Sequence, residues 1–249
     1  MNNTDIFICS YLRNNFTQEC LQYLKERTKS PHTTFLIDNG GNAQFRNVVD
    51  YYIGFGTNMG IQVAWNTALA LARSEYFVTA DNDLLVPDLR ERGMQLQEGA
   101  KNAPDWLERM IKFMDERPDY GAISMAPHIF IGAAQIDPND LEDVKERNMC
   151  GAVFRIMRTD LVRQVGGWEH EIRGERNHEE RTICGRLQEA GYKVGIATRI
   201  RAWHNFGETN WGYPETFSPE EQGHNPELKD YVGKFNNRNA YDSETWLPA

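Results

Sequence analysis

The order of apolar and polar residues predicts an α/β protein built on a mostly parallel sheet. Three observations carry this reading. Short continuous apolar runs such as Ile6-Phe7-Ile8-Cys9 suit strands covered on both faces. Between them lie longer stretches with apolar residues on one side, as helices have. Three of the strand-like runs give way to polar clusters, at 10–14, 38–41 and 81–83. In open parallel sheets, ligand loops lie at the carboxyl ends of the strands. The three clusters are therefore expected along one edge.

Each element follows in order. Ile6–Cys9 is the first strand, and Ser10 to Asn15 a polar corner. Phe16 to Arg27 reads as a helix with Cys20, Leu21 and Leu24 on one side. Thr33–Ile37 is a second strand, ending at Asp38-Asn39-Gly40-Gly41. Val48 to Phe55 is a third apolar stretch, and Asn58-Met59-Gly60 a turn before a helix from Ile61 to Arg73. Tyr76–Thr79 is the fourth strand, leading to Asp81-Asn82-Asp83. Asp88 to Pro104 is charged and reads as an exposed excursion. Trp106, Met110, Ile111 and Met114 share a helical face. Tyr120 to Met125 and Gly151 to Met157 are strand-like, and Asp137 to Arg147 suits a loop or a solvated helix. Asn177 to Ala190 reads as a helix stopped by Gly191. Tyr192 to Ala197 is a last short strand, and the tail from Gly207 is expected to be irregular.

With 249 residues, the chain can bury a substantial core. Its net charge of −9 argues against general nucleic-acid binding, which draws its affinity from Lys and Arg facing phosphates. No apolar run reaches the 18 residues that suggest a membrane span, and Met1 to Asp5 lacks a signal-peptide pattern. The four cysteines form no CxxC pair, and Cys9 and Cys184 read as small buried hydrophobes. A reducing cytoplasm is the expected setting.

Several residues could carry chemistry, each with a plainer alternative. Asp81 and Asp83, two residues apart after a strand, suit a hard divalent cation, although Asp and Asn also favour turns. Asp38 could accept from a base N–H, with the glycines admitting a ligand, or simply close a turn. Asn58 and Gly60 precede a helix N-terminus, a natural anion site. Asn66 lies on an otherwise apolar helix and needs a partner, in a ligand or a neighbouring loop. Glu179 and Glu180 open a helix, where a carboxylate could act as general base. Asn177 and Glu180 equally resemble a capping box. His204 could be a metal ligand or a structural residue. Trp168, after Gly166-Gly167, could stack on an acceptor ring or fill the core.

Taken in order, these clusters resemble the inverting GT-A-fold glycosyltransferases of family 2, over roughly Ile6 to Gly207. Ser10-Tyr11-Leu12-Arg13-Asn14 looks like that family's opening corner, and Asp38-Asn39-Gly40 like its base-binding turn. Asn58-Met59-Gly60 with Asn66 resembles its N-x-G…N stretch, and Asp81-Asn82-Asp83 its DxD motif. Gly151-Ala152-Val153-Phe154 with Val165-Gly166-Gly167-Trp168-Glu169 resembles its "GA…VGGFDE" block. Glu179-Glu180, Cys184-Gly185-Arg186-Leu187 and Ala190-Gly191-Tyr192-Lys193-Val194 resemble "ED-x-D-L-C-x-R-L…AGYxV". Glu180 stands where the family's base is usually Asp, Thr182 replaces the following Asp, and Trp168 the commoner Phe.

The resemblance implies a single GT-A domain around a central mixed sheet. Residues 1–127 would form a Rossmann-like nucleotide-sugar half, 128–206 an acceptor-binding half, and 207–249 an irregular tail. It implies transfer of a sugar from a nucleotide diphosphate, UDP above all, to an acceptor hydroxyl with inversion. Ser10, Tyr11, Arg13, Asp38, Asn58, Gly60, Asn66, Asp81 and Asn82 would hold the nucleotide. Asp83 and His204, with Asp81, would hold Mn²⁺ or Mg²⁺. Glu180 would be the general base, and Trp168, Glu169 and Glu179 would face the acceptor. That acceptor could be a glycan, a small molecule, a protein or a modified base. A nucleotidyltransferase would want a Gly-rich phosphate loop where Ser10-Tyr11-Leu12-Arg13 stands. A non-catalytic sugar-nucleotide-binding relative would be expected to lose the carboxylates that this chain keeps.

Overall fold

A computed structural model describes residues 3–40, 43–86, 91–92, 95–96, 104–128, 143–169 and 178–204. In its first half, strands β1 (Thr4–Ser10), β2 (His32–Asp38), β3 (Tyr51–Gly54) and β4 (Tyr76–Asp81) alternate with helices α1 (Asn14–Arg27) and α2 (Ile61–Leu71). These four strands are parallel, with β1 between β2 and β4 and β3 outside β2. The short strand β5 (Leu84–Leu85) follows β4, and β6 (Glu91–Arg92) and β7 (Gln95–Leu96) form a separate hairpin.

The second half contains α3 (Trp106–Glu116), β8 (Tyr120–His128), β9 (Val144–Arg147), β10 (Arg155–Arg158), α4 (Thr159–Gln164), α5 (His178–Glu189) and β11 (Lys193–His204). Apart from β6 and β7, the described strands share one sheet in the order β3-β2-β1-β4-β10-β8-β11-β5, with β9 on β11. Strand β10 runs antiparallel to both β4 and β8. The sheet is therefore mixed, parallel on the β1–β4 side, and continuous through both halves.

Strand alternation assigns the core to two faces. Ile6, Ile8, Leu36, Val78, Ala80, Ile123 and Ile156 point toward α1 and α3. Phe7, Cys9, Phe35, Ile37, Phe77, Met157 and Val194 point toward α2, α4 and α5. The result is a three-layer α/β/α arrangement. Asp105 starts α3 by accepting from the Glu108 backbone N–H at 2.9 Å, a side-chain N-cap.

Three expectations need correction. The 137–147 stretch, expected as loop or solvated helix, contributes β9, whose 144–147 residues pair along β11. Edge pairing supplies the order that its polar composition concealed. Residues 151–154 precede β10 as bends rather than strand, and Phe154 has φ of +43°. The last strand is twice as long as its apolar run: β11 continues through polar residues to His204, with register shifts after Lys193 and Ala197. Helix α4 was not foreseen, because six residues are too few for a helical period to show. The 207–249 tail, most of the 88–104 excursion and the Asn177 cap lie outside the described residues.

Candidate functional site

Register puts the three polar clusters side by side. Ser10 pairs with Asp38 across β1 and β2, and Cys9 pairs with Asp81 across β1 and β4. All lie at carboxyl ends of parallel strands, the edge where α/β sheets bind ligands. Three non-glycine residues with positive φ, Leu12 (+56°), Arg13 (+54°) and Phe154 (+43°), border this edge. Such conformations are uncommon for non-glycine residues and cluster at functional sites.

The Asp38 turn is held from several sides. Asp38 is fully buried, and its carboxylate accepts from the Gly40 N–H at 2.9 Å and the Tyr52 hydroxyl at 2.6 Å. Burial, then the Asp38 contact, pushes the Tyr52 hydroxyl up from its usual range. Tyr52 therefore stays protonated and donating. Tyr11 closes over the same turn, since a Cβ on Gly40 would meet its ring at 3.3 Å. Ser10 is fully buried, its carbonyl accepting from the Asn39 N–H at 2.7 Å. The Asn39 side chain accepts from the Met59 N–H at 2.7 Å, tying this turn to the next loop. There Asn58 accepts from the Gly60 N–H at 2.9 Å, and Gly60 has φ of +87°. Asn58 and Gly60 thus shape the entry to α2.

At the end of β4, the three residues of the Asp-Asn-Asp cluster separate in role. Asp81 is half-buried. Burial raises its proton affinity well above the carboxylate range, and Asp83, Glu180 and Glu179 add to this while Arg155 opposes it. Asp83 is buried and ion-paired with Arg13 through Nη1 and Oδ2. Asn82 turns inward, its Nδ2 donating to the Thr17 hydroxyl at 2.7 Å and the Leu12 carbonyl at 3.2 Å. The expectation of a nucleotide contact from Asn82 is corrected: its side chain braces the corner after β1.

Glu180 reaches the same place from the other half of the sheet. It accepts from the backbone N–H of Ala152, whose carbonyl in turn accepts from the Asp81 N–H at 3.4 Å. One residue thus links the Glu180 carboxylate to the Asp81 backbone. A Cβ on Gly151 would come within 3.0 Å of Glu180 Oε1, so this glycine is what lets the carboxylate approach. Burial raises the Glu180 pKa from 4.5 to about 8, Glu179 adds to this, and Arg155 opposes it. A group poised there suits general base work near neutral pH.

Several other residues take different places from those expected. Trp168 is a core residue, 3% exposed and packed edge-on against Phe77. It is thus buried rather than open to an acceptor ring. Asn66 clasps its backbone, accepting from the Trp168 N–H at 2.9 Å and donating to the Trp168 carbonyl at 2.8 Å. Both ends of that amide serve the Gly166-Gly167-Trp168 turn rather than a nucleotide, the outcome its apolar helix had left open. Glu169 is exposed and lies 3.8 Å from Arg186. Glu179 is half-buried beside Glu180. His204 pairs through its backbone with Leu84, next to Asp83 in sequence. Its side chain lies outside the described set.

Two features escaped the sequence reading. Arg155 is fully buried on β10, with Nη1 donating to the Cys150 carbonyl at 3.1 Å and its guanidinium over Trp168. Nothing in an arginine's local sequence shows that it will be buried. Cys150 and Cys184 meet with sulfurs 3.9 Å apart, Cys184 lying one helical turn beyond Glu180. They are 34 residues apart in sequence, so no spacing motif could reveal the pair.

A divalent cation fits the chemistry of this edge. Asp81, Asp83, Glu179 and Glu180 concentrate negative charge that a cation would relieve. Among the described residues, no three His, Cys, Asp or Glu side chains form a ready metal cluster. Among the described residues, no helix is long and apolar enough to cross a membrane.

This architecture has solved counterparts. One is the mannosyltransferase PcManGT of Pyrobaculum calidifontis in complex with GDP-Man and Mn²⁺ (TM-score 0.61, 14% identity, 84% of this chain and 58% of that one). A second is S. aureus TarS 1-349 in complex with UDP-GlcNAc (0.59, 15%, 96% of this chain and 72% of that one). A third is GalNAc-T7 with UDP, GalNAc and Mn²⁺ (0.59, 10%, 81% of this chain and 43% of that one). These likenesses define the class: the chain has the fold of the GT-A glycosyltransferases. More particularly, residues 5–92 match the sequence model of glycosyl transferase family 2. That stretch contains all three polar clusters, while Glu180 lies beyond it. The chain spans 58% of the mannosyltransferase's length and 43% of GalNAc-T7's. No curated protein matches it significantly in sequence.

Proposed function

We propose that the protein is a metal-dependent inverting glycosyltransferase that takes its sugar from a nucleotide diphosphate, UDP in the first instance, with Glu180 as general base. The observation that carries this reading is the Ala152 bridge, which ties the Glu180 carboxylate to the Asp81 backbone at the end of β4, where the charge of Glu180 raises the proton affinity of Asp81. Asp81 stands in the cluster suited to a metal and diphosphate. Glu180 has the proton affinity of a base that works near neutrality.

In this reading Asp38, locked by Tyr52 and Gly40, accepts from the base N–H of the donor. Ser10, Tyr11 and Arg13 flank the nucleotide, and Asn58 and Gly60 present the α2 entry to it. Asp81 touches the ribose or the metal's hydration shell, while Asp83 and His204 would hold Mn²⁺ or Mg²⁺. The ion would neutralise charge building on the departing diphosphate. Glu180 takes the proton from the acceptor hydroxyl, and a single displacement inverts the anomeric carbon. Glu179 raises the proton affinity of Glu180, and Glu169 at the rim is left to contact the acceptor. Transfer in a cytoplasmic setting, onto a glycan, protein, small molecule or modified base, belongs to the same proposal.

The test is thermal unfolding with a panel of nucleotide sugars, with Mn²⁺ or with EDTA. A donor at about 100 times its dissociation constant stabilises by about 2.7 kcal/mol. A shift that needs metal and is specific to one nucleotide supports the reading and identifies the donor. A folded protein that responds to no nucleotide sugar would sink it.

A further inference from the structure

We propose that Arg13 is a built-in counter-ion for Asp83, one that yields this carboxylate to a divalent cation when a diphosphate arrives to receive the guanidinium. Cation and nucleotide would then bind cooperatively through an exchange of partners. The inference rests on the donor-site reading above and adds to it a specific role for Arg13.

The placement of Arg13 is built rather than incidental. Its side chain is 10% exposed and pairs with a carboxylate that is 8% exposed. Leu12 and Arg13 are both left-handed, a conformation that ordinary side chains adopt rarely and seldom in succession. This turn is held from below. The Thr17 N–H and hydroxyl donate to the Arg13 carbonyl at 3.0 and 3.2 Å. Asn82, sitting between the two acids, donates to the Leu12 carbonyl and to Thr17. The acidic cluster thus braces the very turn that aims a guanidinium at its own second carboxylate. The Phe16 ring, 6.0 Å from the guanidinium carbon, lies beneath the same group.

Physical chemistry then sets the order of events. Taking one partner from a buried ion pair is strongly unfavourable unless another charge replaces it. A cation alone can satisfy Asp83, but the guanidinium would lose its carboxylate. A diphosphate offers that guanidinium the paired oxygens that arginine binds best. Arg13 lies in the corner just beyond β1, whose neighbours β2 and β4 end at Asp38 and Asp81, where a nucleotide's phosphates would pass. Metal and nucleotide each remove the cost that the other meets, which is positive linkage and reciprocal by necessity.

The test is calorimetric titration of the full chain with Mn²⁺, in the absence and presence of UDP. Arg13→Met is expected to bind Mn²⁺ alone more tightly than the parent protein, within the 5- to 150-fold span of typical coupling. The gain in Mn²⁺ affinity conferred by UDP should shrink by about the same factor. Mn²⁺ and UDP also associate in free solution, but this is common to both proteins and cancels in the comparison. Arg13→Gln keeps a donor toward Asp83 without the charge, and carries the same test if the methionine variant does not fold. Unchanged Mn²⁺ affinity in a folded variant, or an undiminished effect of UDP, overturns the exchange. Failure of the parent protein and both variants to bind Mn²⁺ with or without UDP would instead overturn the donor-site reading.

Discussion

Replacing Glu180 with Gln should make the protein more stable as it makes it less active, and the stability gain should grow with pH. Burial, and after it Glu179, raises the Glu180 pKa from 4.5 to about 8. The folded chain therefore holds this proton more tightly than the unfolded chain. The associated stability is fully present below pH 4.5 and is lost as pH rises toward 8. A gap of about 3.5 pH units corresponds to a ceiling of about 5 kcal/mol. Glu179 and Asp81 share the same field, so about half of that ceiling is a reasonable expectation. Gln has nearly the same shape and carries no charge to desolvate. Urea unfolding of both proteins at pH 5, 6, 7 and 8 would show their difference widening by about 2–3 kcal/mol. The rate of transfer should fall by about 10²- to 10⁴-fold if Glu180 is the base. A stability difference that stays constant across this range would refute the reasoning. It would mean that Glu180 is solvated like an ordinary surface acid and serves only to start α5.

Gly167→Ala should destabilise by about 2–4 kcal/mol in urea, since the new Cβ would fall 2.6 Å from Asn66 Oδ1 at a φ of +64°, adding backbone strain to a broken clasp. Asn66→Ala, which loses the clasp without the clash, should cost about 1–3 kcal/mol, and equal losses for the two variants would show that strain at Gly167 is negligible. Tyr52→Phe frees one Asp38 oxygen and should weaken UDP binding by about 5- to 10-fold, as loss of one hydrogen bond does; unchanged affinity would remove Asp38 from the base pocket. Arg155→Met removes a cation that holds down the Glu180 pKa. The acid limb of the kcat/KM profile should then move to higher pH, and an unmoved limb would make Arg155 a packing residue alone.

The parallel half of the fold was legible because its strands announce themselves. Ile6-Phe7-Ile8-Cys9 and Tyr76 to Thr79 are continuous apolar runs, and each ends in a polar cluster whose place at the sheet edge follows from topology. The second half was less legible, since its strands owe their existence to neighbours. Val144-Lys145-Glu146-Arg147 has no strand signature, and it extends because β11 offers an edge. The site divides similarly. Asp38, Asp81 and Glu180 could be picked out because a carboxylate after a strand or at a helix start is visible in one dimension. Asn66, Asn82 and Trp168 stand in the same motifs yet turn inward, since their directions are set by packing with residues up to a hundred positions away. Motif membership thus identified the neighbourhood, while side-chain direction separated residues that face the sheet edge from those that brace it.

The least legible part of the site is its balance of charge. Four carboxylates, Asp81, Asp83, Glu179 and Glu180, are gathered at one sheet edge, an arrangement that costs free energy unless cations sit among them. Two arginines meet this demand from opposite sides. Arg13 pairs directly with Asp83, and the buried Arg155 opposes the rise in proton affinity of both Asp81 and Glu180. Their situations differ in a way that suggests different duties. Arg155 is anchored to the Cys150 carbonyl and the face of Trp168 within the core, so its charge is a constant of the fold. Arg13 sits on a left-handed turn just beyond β1, so in the proposed exchange its partner would change with ligand. Under the proposed function, a fixed cation would set the strength of the base and an exchangeable one would answer to the diphosphate, and both would let a dense acidic site remain folded before any ligand is bound.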